Sequence, residues 1–169
     1  MLMEDLVRGD GWQVRAPAPV VDALSVRGAL AGAQLIEVRM DMIRSFLWLL
    51  FDLRGAIDVP EGNTALIQVE RVAKIAWSGV PAWHRWAWMV GRWEPCISSE
   101  GWTLTSGFEI GGELAIKGRA ARYLVGNIEG GDLPPPDFTE STDEEILAGF
   151  ATWRSLIEVA AVSGTFYRG

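Results

Sequence analysis

The chain has 169 residues, 15 Lys+Arg, 22 Asp+Glu, one His and one Cys, and a formal net charge of −7. That length fits one domain able to bury a full core. A lone thiol, Cys96, excludes an internal disulfide, and Cys96 with His84 falls short of a structural zinc set.

Residues 1–16 read as a loosely held N-terminal arm, ended by Pro17 and Pro19, and residues 17–169 as a single β-rich domain. Val20–Arg27 is predicted as a first strand. Ala33–Met40 alternates Leu35, Glu37 and Arg39 against Ile36, Val38 and Met40, the pattern of a half-buried strand. Phe46–Arg54 opens with Phe46–Phe51, apolar at every position, and reads as a central strand stopped by Gly55. That run is also the longest apolar stretch, far short of the ~20 residues a spanning helix needs.

Pro60, Gly62 and Asn63 mark a turn, followed by candidate strands at Ala65–Val69 and Val72–Trp77. Trp88–Trp93, Trp102–Thr105, Phe108–Ile110, Leu114–Lys117 and Ala120–Ile128 continue the series, with Gly111-Gly112 as a hairpin turn. Pro134-Pro135-Pro136 interrupts everything. Thr139–Phe150 carries a capping box, Ser141/Glu144 or Thr142/Glu145, and a stripe of Ile146, Leu147 and Phe150. It predicts one late helix near 141–150. Thr152–Tyr167 alternates again and reads as a closing strand. The sum is a mainly β fold (β-rich α+β), an antiparallel sandwich or half-open barrel with that one C-terminal helix.

Charge is unevenly placed. Tyr123–Trp153 contains no Lys or Arg but holds Glu129, Asp132, Asp137, Glu140, Asp143, Glu144 and Glu145, so the whole net charge belongs to this segment. A solvated loop and helix start accounts for it, and so does a docking surface for a basic partner, since clustered charge of one sign steers encounter. An acidic chain without a signal or spanning segment is expected in the cytoplasm, with neither nucleic acid nor a membrane as its partner.

Tryptophan is the second unusual feature: nine in all, five of them Trp77, Trp83, Trp86, Trp88 and Trp93. They read first as core residues of a β-rich domain, and in the alternative as an interface anchor or the walls of a ligand cleft, with Arg85 and Arg92 near enough in sequence to stack on the rings or meet an anion. Catalytic signals are poor. His84 and Cys96 lie twelve residues apart with no geometry implied, no Gly-x-Ser-x-Gly elbow exists, and the glycine pairs lack the ending of a phosphate loop. Paired carboxylates are available as Asp41 with Asp52, or Glu109 with Glu113. No metal or cofactor is expected, and no enzyme.

Phe51-Asp52-Leu53-Arg54, Asn63-Thr64-Ala65-Leu66, a strand ending in Trp77, Pro135-Pro136-Asp137 and a closing Trp153-Arg154-Ser155 follow one another in an order that resembles small acidic bacterial immunity-protein domains of polymorphic toxin systems. The resemblance implies a non-enzymatic, cytoplasmic protein that binds and occludes a toxin. On that reading Glu129, Asp132, Asp137, Glu140, Asp143 and Glu144 meet a basic partner, with Trp86 or Trp88 as apolar anchor. The alternative is a small-ligand-binding barrel or sandwich whose pocket is walled by Trp83, Trp86, Trp88 and Trp93, with Arg85 and Arg92.

Overall fold

The computed structural model describes residues 1–8, 14–79 and 86–165. It consists of two antiparallel sheets. The larger is built from β1 (Gln34–Asp41), β2 (Phe46–Asp52), β3 (Thr64–Glu70), β8 (Ala120–Ile128) and β9 (Ile157–Gly164), in the order β1-β2-β3-β8-β9. The smaller has β4 (Lys74–Ser78), β7 (Glu113–Gly118), β6 (Gly101–Phe108) and β5 (Val90–Ser98), in the order β4-β7-β6-β5.

The sheets share a bent ladder. β3 pairs with β8 and its continuation β4 pairs with β7, so one long pair of strands crosses from sheet to sheet. Hydrogen bonds persist through the bend, from Arg119 N–H to Glu70 O at 2.9 Å and from Ala73 N–H to Lys117 O at 2.8 Å. Gly118 permits the sharp corner, because a Cβ there would come within 2.3 Å of Val69 Cγ1. At the other side Leu35 N–H meets Trp88 O and Val90 N–H meets Ala33 O, without a ladder that would close a barrel.

Alternation along β6 places Trp102, Leu104, Ser106 and Phe108 inside, facing Leu47, Leu49 and Phe51 of β2 across the sandwich. β2 is apolar throughout because both of its faces are covered. Trp48 and Leu50 look the other way, into a second core with Leu66, Leu124, Met3, Leu6 and Ile157. Part of that cover comes from residues expected to form a loose arm. Met3–Arg8 is instead a short helix, α1, with Met3, Leu6 and Val7 buried, and Met3 N–H donates to Ser155 O at 3.0 Å. Three apolar residues at positions 3, 6 and 7 fit one helical face, a signal too short to stand out from sequence.

Residues 20–27 are not a strand. Asp22 Oδ1 accepts the Leu24 N–H at 3.0 Å and the Asp22 carbonyl accepts from Ser25 and Val26, which winds the chain into turns. Ala23 and Leu24 are buried there, and their carbonyl oxygens accept the indole N–H groups of Trp93 at 2.8 Å and Trp102 at 2.9 Å. The late helix is also shorter than expected: α2 spans Asp143–Ala148, between the Thr142/Glu145 capping box and Gly149. Ile146 and Phe150 are buried as expected, whereas Leu147 faces solvent. Asp41 and Asp52 cannot act as a pair, since the register places them at opposite ends of the β1–β2 hairpin.

Candidate functional site

Between Ile128 and Ile157 the chain leaves the large sheet in an excursion of turns, three prolines and α2. It starts against a buried amide. Asn63 Oδ1 accepts the Ile128 N–H at 3.0 Å and Asn63 Nδ2 donates to Ile128 O at 3.3 Å. Gly131 lies flat on this side chain, where a Cβ would sit 2.0 Å from Nδ2.

The middle and far end are held by Arg54. Its Nη1 donates to Leu133 O at 2.9 Å and its Nη2 to Gly149 O at 2.7 Å, so one guanidinium bridges two points sixteen residues apart. Asp52 orients it: Oδ2 accepts Nε at 2.8 Å, and Oδ1 accepts the Arg54 backbone N–H at 3.0 Å. Both side chains are nearly out of solvent, at 9% and 6% exposed. A buried pair of this kind is tolerable because the remaining guanidinium donors also find acceptors. Phe150 lies 5.4 Å from the guanidinium and packs on Phe138, completing the apolar underside.

What the clasp holds up is charge. Glu129, Asp132, Asp137, Glu140, Asp143, Glu144 and Glu145 are all exposed. Two of them also shape the backbone. The Thr139 hydroxyl and N–H donate to Asp137, holding its carboxyl below the usual range. The Thr142 N–H and hydroxyl do the same for Glu145. Leu133 and Leu147 stand exposed among these acids. Leu133 also lines a shallow cleft of about 270 Å³, with Arg54, Glu129, Pro136 and Phe150 among others.

The tryptophans separate into two groups. Trp93 is a core residue, fully enclosed, edge-on to Phe51 at 5.6 Å. Trp88 is half-buried and joins Trp77 (4.8 Å) and Phe108 (5.4 Å) in a three-ring cluster at the β4 side of the small sheet. Trp86 is exposed. Arg92 pairs with Glu113 on the outer face of the small sheet, away from the rings. The contacts of Trp88 thus go to its own cluster rather than to the acidic excursion. Trp83, His84 and Arg85 lie outside the described residues. Cys96 is exposed.

One further titratable group lies between the sheets. Tyr123 is fully buried with its hydroxyl unpartnered, and burial, with the Glu61 and Asp22 carboxylates, pushes its pKa above the ordinary value. It stays protonated at any physiological pH, which removes it as a base. Among the described residues no group of three or more His, Cys, Asp or Glu side chains is arranged to hold a metal ion, and no helix is long and apolar enough to cross a membrane. Comparison with protein-family models, curated proteins and solved structures gives no match.

Arg54 is the residue that sequence reasoning did not single out as part of the site. Its signal was Asp52 and Arg54 two apart at the end of an otherwise apolar run, a spacing at which a strand end places both on one side.

Proposed function

We propose that the chain is a non-enzymatic binding domain that docks a basic protein on the excursion between Glu129 and Glu145, and that it serves as an immunity-type protein occluding a toxin domain. The observation that carries this reading is the clasp: a buried Arg54 spends its donors on Leu133 and Gly149, so that seven carboxylates face water from a fixed backbone. Charge held in place costs less ordering on binding than charge on a loose tail. A one-sign surface also speeds encounter and disfavours acidic competitors. Leu133 and Leu147, exposed on the same excursion, are candidates for apolar contact, as is the exposed Trp86. Occlusion then follows from size and charge, with no bond made or broken.

The test takes any basic domain that a gene adjacent to this chain's own encodes and measures its association by stopped flow. Replacing Asp132, Asp137, Glu140, Asp143 and Glu144 by Ser slows association roughly tenfold or more and flattens its salt dependence. Association that is unchanged by these replacements, or the lack of any basic partner at that locus, overturns the reading.

A further inference from the structure

The opposite end of the molecule carries a different surface. β8 runs nine residues from its Ala120 corner to Ile128, a span of roughly 26 Å at ~3.3 Å per residue. At the Ala120 end β1 turns into β2 through Met42 and Ile43, which are 74% and 97% exposed. Ile43 is the most exposed large apolar side chain described.

This tip is rigid. Asp41 Oδ1 accepts the N–H groups of Ile43 and Arg44, each at 3.0 Å, and Oδ2 meets Arg44 Nε at 2.6 Å. Ser45 takes a φ of 56° to close the turn. The Arg44 guanidinium lies 5.6 Å from the Phe46 ring and 6.0 Å from that of Trp48, anchoring the turn to the second core. Two large apolar side chains thereby stand out into water on a hydrogen-bonded turn.

The surroundings are basic. The Val72 N–H donates to Ser45 O at 3.0 Å, which brings the β3–β4 corner against the turn. Three acids at this end are taken up in ion pairs, Asp41 with Arg44, Glu70 with Arg122 and Glu100 with Lys117. Arg71 and Lys74, both exposed, add two positive charges beyond those pairs, on a chain whose net charge is −7.

A convex tip bearing two adjacent apolar side chains needs a counterpart that deforms around it, and its positive setting needs that counterpart to be anionic. We propose that the Met42–Ile43 turn inserts into the headgroup layer of an anionic membrane surface, with Arg71 and Lys74 facing the lipid charges. The acidic excursion then points to the aqueous side, where lipid does not repel it. This revises the sequence expectation of no membrane partner, which rested on the lack of a spanning segment and does not bear on a peripheral contact.

The experiment is flotation with vesicles of phosphatidylcholine alone and of phosphatidylcholine with phosphatidylglycerol, at low and high salt. The protein is expected to float only with the anionic vesicles and to be released by salt. The double replacement Met42→Ser with Ile43→Ser lowers partitioning roughly tenfold. Separately, Arg71→Gln with Lys74→Gln lowers it about fivefold per charge. Thermal melts of both variants confirm that they remain folded. Absence of flotation with anionic vesicles, or flotation undiminished in the folded M42S/I43S variant, overturns the proposal. So does a tip that the protein uses on a protein partner while ignoring vesicles.

Discussion

The acidic and basic ends of this molecule reach opposite charge by different constructions. At the basic end the charges sit on tight strand connections, the β1–β2 turn closed within itself by Asp41 with Arg44 and the next corners held strand to strand by the Arg119 N–H on Glu70. At the acidic end the charges sit on a long irregular excursion of local turns and one short helix, tied to the body of the fold by the side chains of Asn63 and Arg54. Local charge of one sign repels itself, and a turn can absorb that within its own hydrogen bonds. An excursion of this length needs a fastening from the body of the fold, and a buried arginine is suited because it brings several donors and cannot be deprotonated.

The most severe way to break the comparison is Arg54→Ala. It leaves the buried Asp52 charge without its partner and two carbonyl oxygens without donors, and costs about 3–5 kcal/mol in urea unfolding. In hydrogen exchange the amides between residues 133 and 149 lose protection first while those around Met42–Ile43 keep theirs. Equal loss at both ends contradicts the two-construction account.

Next in size is Trp102→Phe in the interior that both ends share. It strands the Leu24 carbonyl without a donor and costs about 1–3 kcal/mol, read from the same unfolding curves, with protection lowered at both ends together. Thr142→Ala is smaller and local. Losing the capping box costs about 1 kcal/mol, visible as fraying of α2 without change at the Met42–Ile43 turn.

The smallest expected effect is one of pH, and it touches both ends. The Arg44 N–H lowers the Asp41 pKa, and the Thr142 N–H lowers that of Glu145. A carboxyl depressed on folding adds stability that is present above its unfolded pKa and is lost as pH falls through its folded value. Side-chain titrations by NMR are therefore expected to give midpoints below the unfolded values of ~3.9 for Asp41 and ~4.3 for Glu145. A midpoint at or above those values removes the corresponding turn or cap from the account.

Much of the architecture was legible because the strands obey short-range rules. β6 alternates, β2 is apolar on both faces, and Gly111-Gly112 turns the β6–β7 hairpin with both φ values positive. What escaped reading was set by distant partners. Residues 20–27 have a strand-like composition, yet Asp22 winds them into turns whose carbonyls are claimed by indoles some seventy residues away. The N-terminal helix is too short to declare itself and depends on a sheet face built by β2, β3 and β8. The site was legible in the same uneven way. The acidic run was plain from composition, while its fastening by Arg54 depends on chain crossings that no local pattern encodes. Trp93, placed beforehand in a ligand wall, is a core residue because its register faces it inward against Phe51.

The central claim is that the clasped excursion presents its carboxylates to a basic protein. Its most direct test is the association rate with any basic domain that a gene adjacent to this chain's own encodes, followed across ionic strength for the native chain and for Arg54→Gln, which keeps every acid but loosens their support. The account predicts a steep salt dependence in both, with complex formation weakened in the variant through loss of a fixed surface. Native and variant chains that bind alike, with rates indifferent to salt, would contradict it.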